Sequence, residues 1–214
     1  MQKDNSTLAL KTSLRRNALN EIESPVVMET HGGFGAIFAK CYFGVSDGVV
    51  FESKPDKAAA LAKQRPTWAV YETDCVMALA AGVGNHLPVN FIDLDPYGEP
   101  WPVMDAFFQS DRQFPSRLAI VVNDGLRQGV KMNGGWNTKS LADVVAKYGS
   151  SQLYKNYLTI CRELLEEKAG QRGYTLTRWA GYYCGHADQM THYAAILEKP
   201  AVVVAQGQAS RDAD

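Results

Sequence analysis

From Pro25 onward the chain alternates short apolar runs with stretches of helical periodicity. Val26-Val27-Met28 leads into Gly35 to Cys41, Gly48 to Phe51 into Pro55 to Gln64, and Trp68 to Tyr71 into Cys75 to Ala81. Val89 to Leu94 then precedes Pro100 to Phe108, and Leu118 to Val122 precedes Lys139 to Lys147 and Gln152 to Lys168. Each run is nearly all apolar, the pattern of strands covered on both faces, so these five βα units predict a parallel sheet between layers of helices. Tyr174 to Trp179 and His192 to Glu198 lack a full crossover helix between them and predict an antiparallel hairpin at one edge. The expected class is α/β: a doubly wound, mostly parallel seven-stranded sheet with an antiparallel edge hairpin.

The segment before Pro25 is patterned differently. Leu8, Leu10, Leu14, Leu19 and Ile22 are spaced for one apolar helix face, while Lys11, Arg15 and Arg16 fall on another; Arg15 and Arg16 are read as a solvated face, with covering the cofactor mouth or meeting substrate phosphate as the alternatives. The expected organisation is an N-terminal helical segment over 1–24, one domain over 25–200 and a flexible tail over 201–214.

Composition narrows the function. Lys+Arg 22 against Asp+Glu 23 gives a net charge of -1, which excludes a basic coat for nucleic acid and makes any polyanion site local. Cys41, Cys75, Cys161 and Cys184 form no C-x-x-C pair, pointing to reduced thiols in a cytoplasmic protein. Met1 to Arg16 has no apolar export core, and no stretch approaches the ~20 apolar residues of a membrane span, so no membrane partner is expected. Cys184, His186, Asp188 and His192 are types that can bind zinc, but their spacing suits a strand and hairpin loop, and the expected metal content is none.

In an open α/β sheet the ligand lies beyond the carboxyl ends of the strands. After the first strand stands Glu29-Thr30-His31-Gly32-Gly33-Phe34-Gly35, a turn that admits close backbone approach. Phe38 occupies a place where a dinucleotide fold wants a small residue, which argues against NAD. Glu29 would repel a pyrophosphate but attract the ammonium of an amino-acid moiety, as S-adenosylmethionine carries. Glu52 ends the second strand about 20 residues beyond the loop, the spacing of an acid that receives ribose hydroxyls. Asp74 ends the third, where it would accept from an adenine amine while the N–H of Cys75 meets a ring nitrogen. Capping the helices that follow them is the alternative reading of Glu52 and Asp74.

The fourth strand ends in Asp93-Leu94-Asp95-Pro96-Tyr97-Gly98. Asp95-Pro96-Tyr97 resembles the Asp/Asn-Pro-Pro-Tyr motif of S-adenosylmethionine-dependent amino methyltransferases, and the longer stretch resembles its form in tRNA guanine-N2 dimethyltransferases. The second Pro of the common motif is Tyr97 here. The resemblance covers Val26 to Val122 and implies a Rossmann-like methyltransferase fold, S-adenosyl-L-methionine as cofactor, and transfer to an exocyclic amino nitrogen of a nucleic-acid base in RNA or DNA. An exocyclic amine is conjugated with its ring and weakly nucleophilic, so acceptors at Asp95 and the Pro96 carbonyl would hold its N–H groups and Tyr97 would stack on the ring. A plain turn is the alternative reading of the motif.

After the fifth strand come Arg127, Lys131 and Trp136, expected as phosphate and base-stacking contacts. A protein amide or small-molecule amine remains an alternative acceptor, and a non-catalytic cofactor-binding subunit an alternative role.

Overall fold

The structure is a computed structural model that describes residues 7–96, 98–127, 129 and 142–200. Seven strands form one sheet in the order β3-β2-β1-β4-β5-β7-β6. These are β1 (Val26–Glu29), β2 (Asp47–Glu52), β3 (Ala69–Glu72), β4 (Phe91–Leu94), β5 (Arg117–Asp124), β6 (Thr175–Cys184) and β7 (Met190–Glu198). β1 to β5 are mutually parallel. β7 runs antiparallel between β5 and β6, so the expected seven-stranded sheet and its edge hairpin are both present.

Side-chain alternation divides the sheet between two cores. Met28, Val49, Phe51, Ile92, Leu94, Ile120 and Val122 face one side, where α3 (Cys75–Ala80), α4 (Trp101–Gln109) and α7 (Tyr157–Gly170) pack. Val27, Val50, Phe91, Ala119 and Val121 face the other, beneath α1 (Leu8–Leu19) and α2 (Pro55–Gln64). Both faces are thus dry, which is why the central strands read as unbroken apolar runs.

Three elements depart from the sequence pattern. The helix expected over Gly35 to Cys41 is present from Ala36, but it widens into a π-helix over Phe38–Tyr42, a geometry that concentrates at functional sites. The expected break between Lys147 and Gln152 falls at Gly149, whose φ is +70°, after α5 (Ala142–Tyr148), but the second stretch is itself divided at Asn156 into α6 (Ser150–Lys155) and α7. The third departure is the rotation of α1: its inward stripe is Thr12, Leu14, Arg15 and Ala18, while Leu10 is exposed. Arg15, expected on a solvated face, is only 1% exposed because a carboxylate on the facing strand, Asp93, demands a cation there. Arg16 stays at the surface and donates to the carbonyl of Lys40.

Candidate active site

Beyond the carboxyl ends of β1, β2, β4 and β5 lies a cleft of about 700 Å³. It straddles the point between β1 and β4 where the strand order reverses, the usual ligand position in such a sheet. The lining includes Glu29, His31, Gly32, Gly33, Glu52, Asp95 and Pro96, all expected from the sequence. Lys11, Lys54, Lys57 and Asn123 also line it, and sequence reasoning had given none of them a role in the site.

The glycine turn is shaped by packing below and openness above. A Cβ on Gly32 would stand 2.5 Å from both Leu61 and Val50, so the turn can lie flat on α2 and β2 only without a side chain. Gly33 has φ +56° and nothing within 4 Å of the place where its Cβ would stand, leaving its backbone open to the cleft. The N–H of Gly33 donates to Glu52 Oε2 at 2.9 Å, and Lys54 N–H donates to Oε1 at 3.0 Å. Glu52 is thereby fixed at the cleft wall, with lone pairs remaining on both oxygens.

Glu29 lines the cleft but is tied from behind. Arg65 donates to its Oε2, and the pair is almost wholly buried. Burial lifts the Glu29 carboxyl to about 8, against the pull of Arg65. Its expected attraction for an ammonium is therefore largely spent inside the protein. His31 is held by Thr30 Oγ1 at 2.9 Å and Cys75 Sγ at 3.7 Å, and burial lowers its pKa.

The acceptor end is organised around Asp95. Asn123 donates to Asp95 Oδ1, Lys11 Nζ stands 3.4 Å from the same oxygen, and Arg15 Nη2 stands 3.5 Å from Oδ2. Burial opposes its charge, but Arg15, Lys11 and the hydrogen bond from Asn123 prevail and hold it below the usual carboxylate range. One strand position earlier on the same face, Asp93 takes Arg15 in a two-pronged pair and accepts from Tyr42 Oη at 2.8 Å. The π-helix is what delivers Tyr42 to that position.

Four expected residues stand elsewhere. Asp74 caps α3, its Oδ1 accepting from Met77 N–H at 3.0 Å, and neither it nor Cys75 lines the cleft. Gly35 has φ +79° and packs beside Gln64, outside the lining. Arg127 corrects the sequence reading: it is 7% exposed, sandwiched between the rings of Tyr154 and Tyr183 at 4.0 and 3.9 Å, and donates to the Asp188 carbonyl. Its cation is consumed in joining β5 to the hairpin rather than offered to phosphate. Tyr97, Lys131 and Trp136 lie outside the described residues.

No family model matches this chain, and no curated protein matches it. Solved structures share its fold. Trm1 from Pyrococcus horikoshii, in complex with S-adenosyl-L-methionine, aligns with a TM-score of 0.66 at 12% identity, over 93% of this chain and 56% of that one. This chain thus spans little more than half of Trm1. TYW2 from M. jannaschii, in complex with AdoMet, gives 0.57 at 12% identity over 94% and 79%. The N-methyltransferase NodS from Bradyrhizobium japonicum WM9, with S-adenosyl-l-homocysteine, gives 0.59 at 14% over 93% and 90%. The chain therefore has the fold of these class I methyltransferases. Among the described residues, no helix is long and apolar enough to cross a membrane.

Proposed function

We propose that this protein is an S-adenosyl-L-methionine-dependent N-methyltransferase whose acceptor is an exocyclic amino nitrogen, with a nucleic-acid base as the favoured substrate. The observation that carries the reading is Asp95-Pro96 at the switch-point cleft, with Asp95 held ionised and half-buried by Arg15, Lys11 and Asn123. A turn with no chemistry to perform would not need three donors converging on one carboxylate.

The cleft fits the cofactor in size and in donors and acceptors. About 700 Å³ lies within the 300–1,000 Å³ range of small-molecule sites. Glu52 would accept from the ribose hydroxyls, the Gly32-Gly33 backbone would meet the cofactor closely, and His31 would close one wall. When bound, the cofactor supplies an electrophilic methyl group. Asp95 and the Pro96 carbonyl would turn the amine lone pair toward it, and water takes the proton that the product sheds.

The burial of Arg127 favours a second reading, since it removes one expected phosphate contact. On that reading the acceptor is a protein amide or a small-molecule amine. Incubation with radiolabelled S-adenosylmethionine and, separately, DNA, tRNA, rRNA and cell protein distinguishes the two. Asp95→Ala should bind cofactor in titration calorimetry yet transfer no methyl; full turnover by that variant would reduce the motif to a turn. Cofactor binding without transfer to any acceptor would instead favour a binding subunit.

A further inference from the structure

Three donors meet Asp95, and they differ in how firmly each is held. Arg15 is buried, fixed by its two-pronged pair with Asp93, and stands 3.5 Å from Asp95 Oδ2. Asn123, also buried, ends β5 and donates to Oδ1. Lys11 Nζ reaches the same Oδ1 at 3.4 Å, near the limit of a hydrogen bond, from a part-exposed side chain that lines the cleft. Oδ1 thus already receives two donors, one for each lone pair of that oxygen. An acceptor amine can give its N–H to this oxygen only if a donor withdraws. Of the three, Lys11 has the long flexible stem, the weakest contact and the open side. Among the described residues its ion pair is with Asp95 and with no other carboxylate, so a displaced Lys11 needs an anion from outside.

We infer that Lys11 is a displaceable stand-in for the acceptor amine and selects for a nucleic-acid substrate, whose phosphate takes the ammonium when the base takes Asp95. This rests on the nucleic-acid reading above and deepens it. When an N–H of the base occupies Oδ1, the Lys11 ammonium loses its carboxylate. A neutral amine offers no replacement, so part of its binding free energy goes into breaking the ion pair. A nucleotide within a chain brings phosphate oxygens beside its base, and Lys11, a point charge on a four-carbon stem, exchanges one anion for another. The same cation that disfavours a neutral amine thus admits nucleic acid. With Arg127 consumed at the hairpin, Lys11 also supplies a cation at the acceptor end of the cleft, as a chain of net charge -1 requires for a local polyanion site.

The test compares wild type, Lys11→Met and Lys11→Arg at about pH 8, where Asp95 is ionised in all three. Each receives radiolabelled S-adenosylmethionine and, separately, total RNA, genomic DNA, cell protein or a mixture of adenosine, guanosine and cytidine. Lys11→Met should label nucleosides about threefold faster and the polymer about threefold slower than wild type, the size of one part-exposed ion pair. Lys11→Arg, which keeps the charge, should keep the wild-type preference. A merely structural Lys11 would slow both substrates alike. Independently of turnover, fluorescently labelled tRNA and single-stranded DNA are bound to the cofactor-free protein across a salt series. The log–log slope should be smaller by about 0.7–0.9 in Lys11→Met, one phosphate contact, and unchanged in Lys11→Arg. Nucleoside labelling that does not rise in Lys11→Met, or equal salt slopes, overturns the role of Lys11, while label in RNA or DNA by the wild type keeps the methyltransferase reading. Label in cell protein alone overturns the nucleic-acid reading with it, and no label in any acceptor overturns the methyltransferase reading as well.

Discussion

Arg15 on α1 and Asp93 in the middle of the central strand β4 form a two-pronged ion pair, Nε to Oδ2 and Nη2 to Oδ1, each at 2.7 Å. Both side chains are nearly inaccessible, at 1% and 2% exposure. The pair anchors the N-terminal helix to the sheet and places Lys11, one turn earlier, against Asp95. Folding and the acceptor end of the cleft therefore depend on the same helix.

Arg15→Met should destabilise the fold by about 3–5 kcal/mol, because it leaves Asp93 buried and charged without its cation. Tyr42→Phe removes one hydrogen bond to the same carboxylate and should cost less, about 1.5–3 kcal/mol for a bond to a charged group. Urea denaturation measures both. A loss under about 1 kcal/mol in Arg15→Met would mean that α1 is not anchored through this pair.

Two neighbouring glycines should fail for different reasons. Gly33→Val places a branched side chain at φ +56° in the open cleft, so it should weaken S-adenosylmethionine binding in titration calorimetry by tenfold or more, about 1.4 kcal/mol. Gly32→Ala drives a methyl into Leu61 and Val50 and should lower stability by about 1–3 kcal/mol. Equal cofactor affinity in Gly33→Val and wild type would remove the glycine turn from the proposed binding site.

The sheet was legible because its central strands are buried on both faces and so appear as continuous apolar runs; Val49 to Phe51 and Leu118 to Val122 could hardly be otherwise. The cleft was legible because polar residues interrupt those runs only where the strands end. Side chains whose role depends on a distant partner were harder to read. Arg15 looks like any helix-surface cation until Asp93 is brought opposite it, although a carboxylate between Ile92 and Leu94 was a signal that a buried cation was needed. Arg127 looks like a phosphate ligand until two tyrosines close on its faces. Asn123 was visible at its strand end, but only the fold shows that one end of its amide is used and the other is not.

Lys11→Met keeps the aliphatic stem and removes the charge. Lys11 is among the groups that hold Asp95 below the usual carboxylate range, so the substitution should raise the Asp95 pKa. The acidic limb of the methyl-transfer rate should then move to higher pH, since transfer needs Asp95 ionised. Lys54→Met, which alters the cleft rim without touching Asp95, should leave the limb in place. Identical profiles for Lys11→Met and wild type would show that Arg15 and Asn123 alone set the charge of Asp95.

Asp124 gives the opposite pH dependence. It is fully buried at the end of β5, accepting from Leu126 N–H at 2.9 Å and from Tyr157 Oη at 2.8 Å, with Cys161 Sγ 3.9 Å away. Burial raises its carboxyl from the ordinary 3.8 to about 7. Between those values the folded protein keeps a proton that the unfolded chain has lost. This group's contribution to stability is therefore whole below the ordinary value and declines as pH rises, until it is lost above about 7. Asp124→Asn keeps the shape and an acceptor for Leu126 but has no proton to lose. The melting temperature of wild type should thus fall between pH 5 and pH 8 relative to that of the variant, about 4–8 °C for each kcal/mol in a small domain and half that in one this size. Parallel curves would mean that Asp124 titrates normally. Asp124 adjoins Asn123, which donates to Asp95, and Gly125, whose N–H donates to the Gly98 carbonyl at 2.9 Å, so its ionisation would strain the segment that holds Asn123 against Asp95.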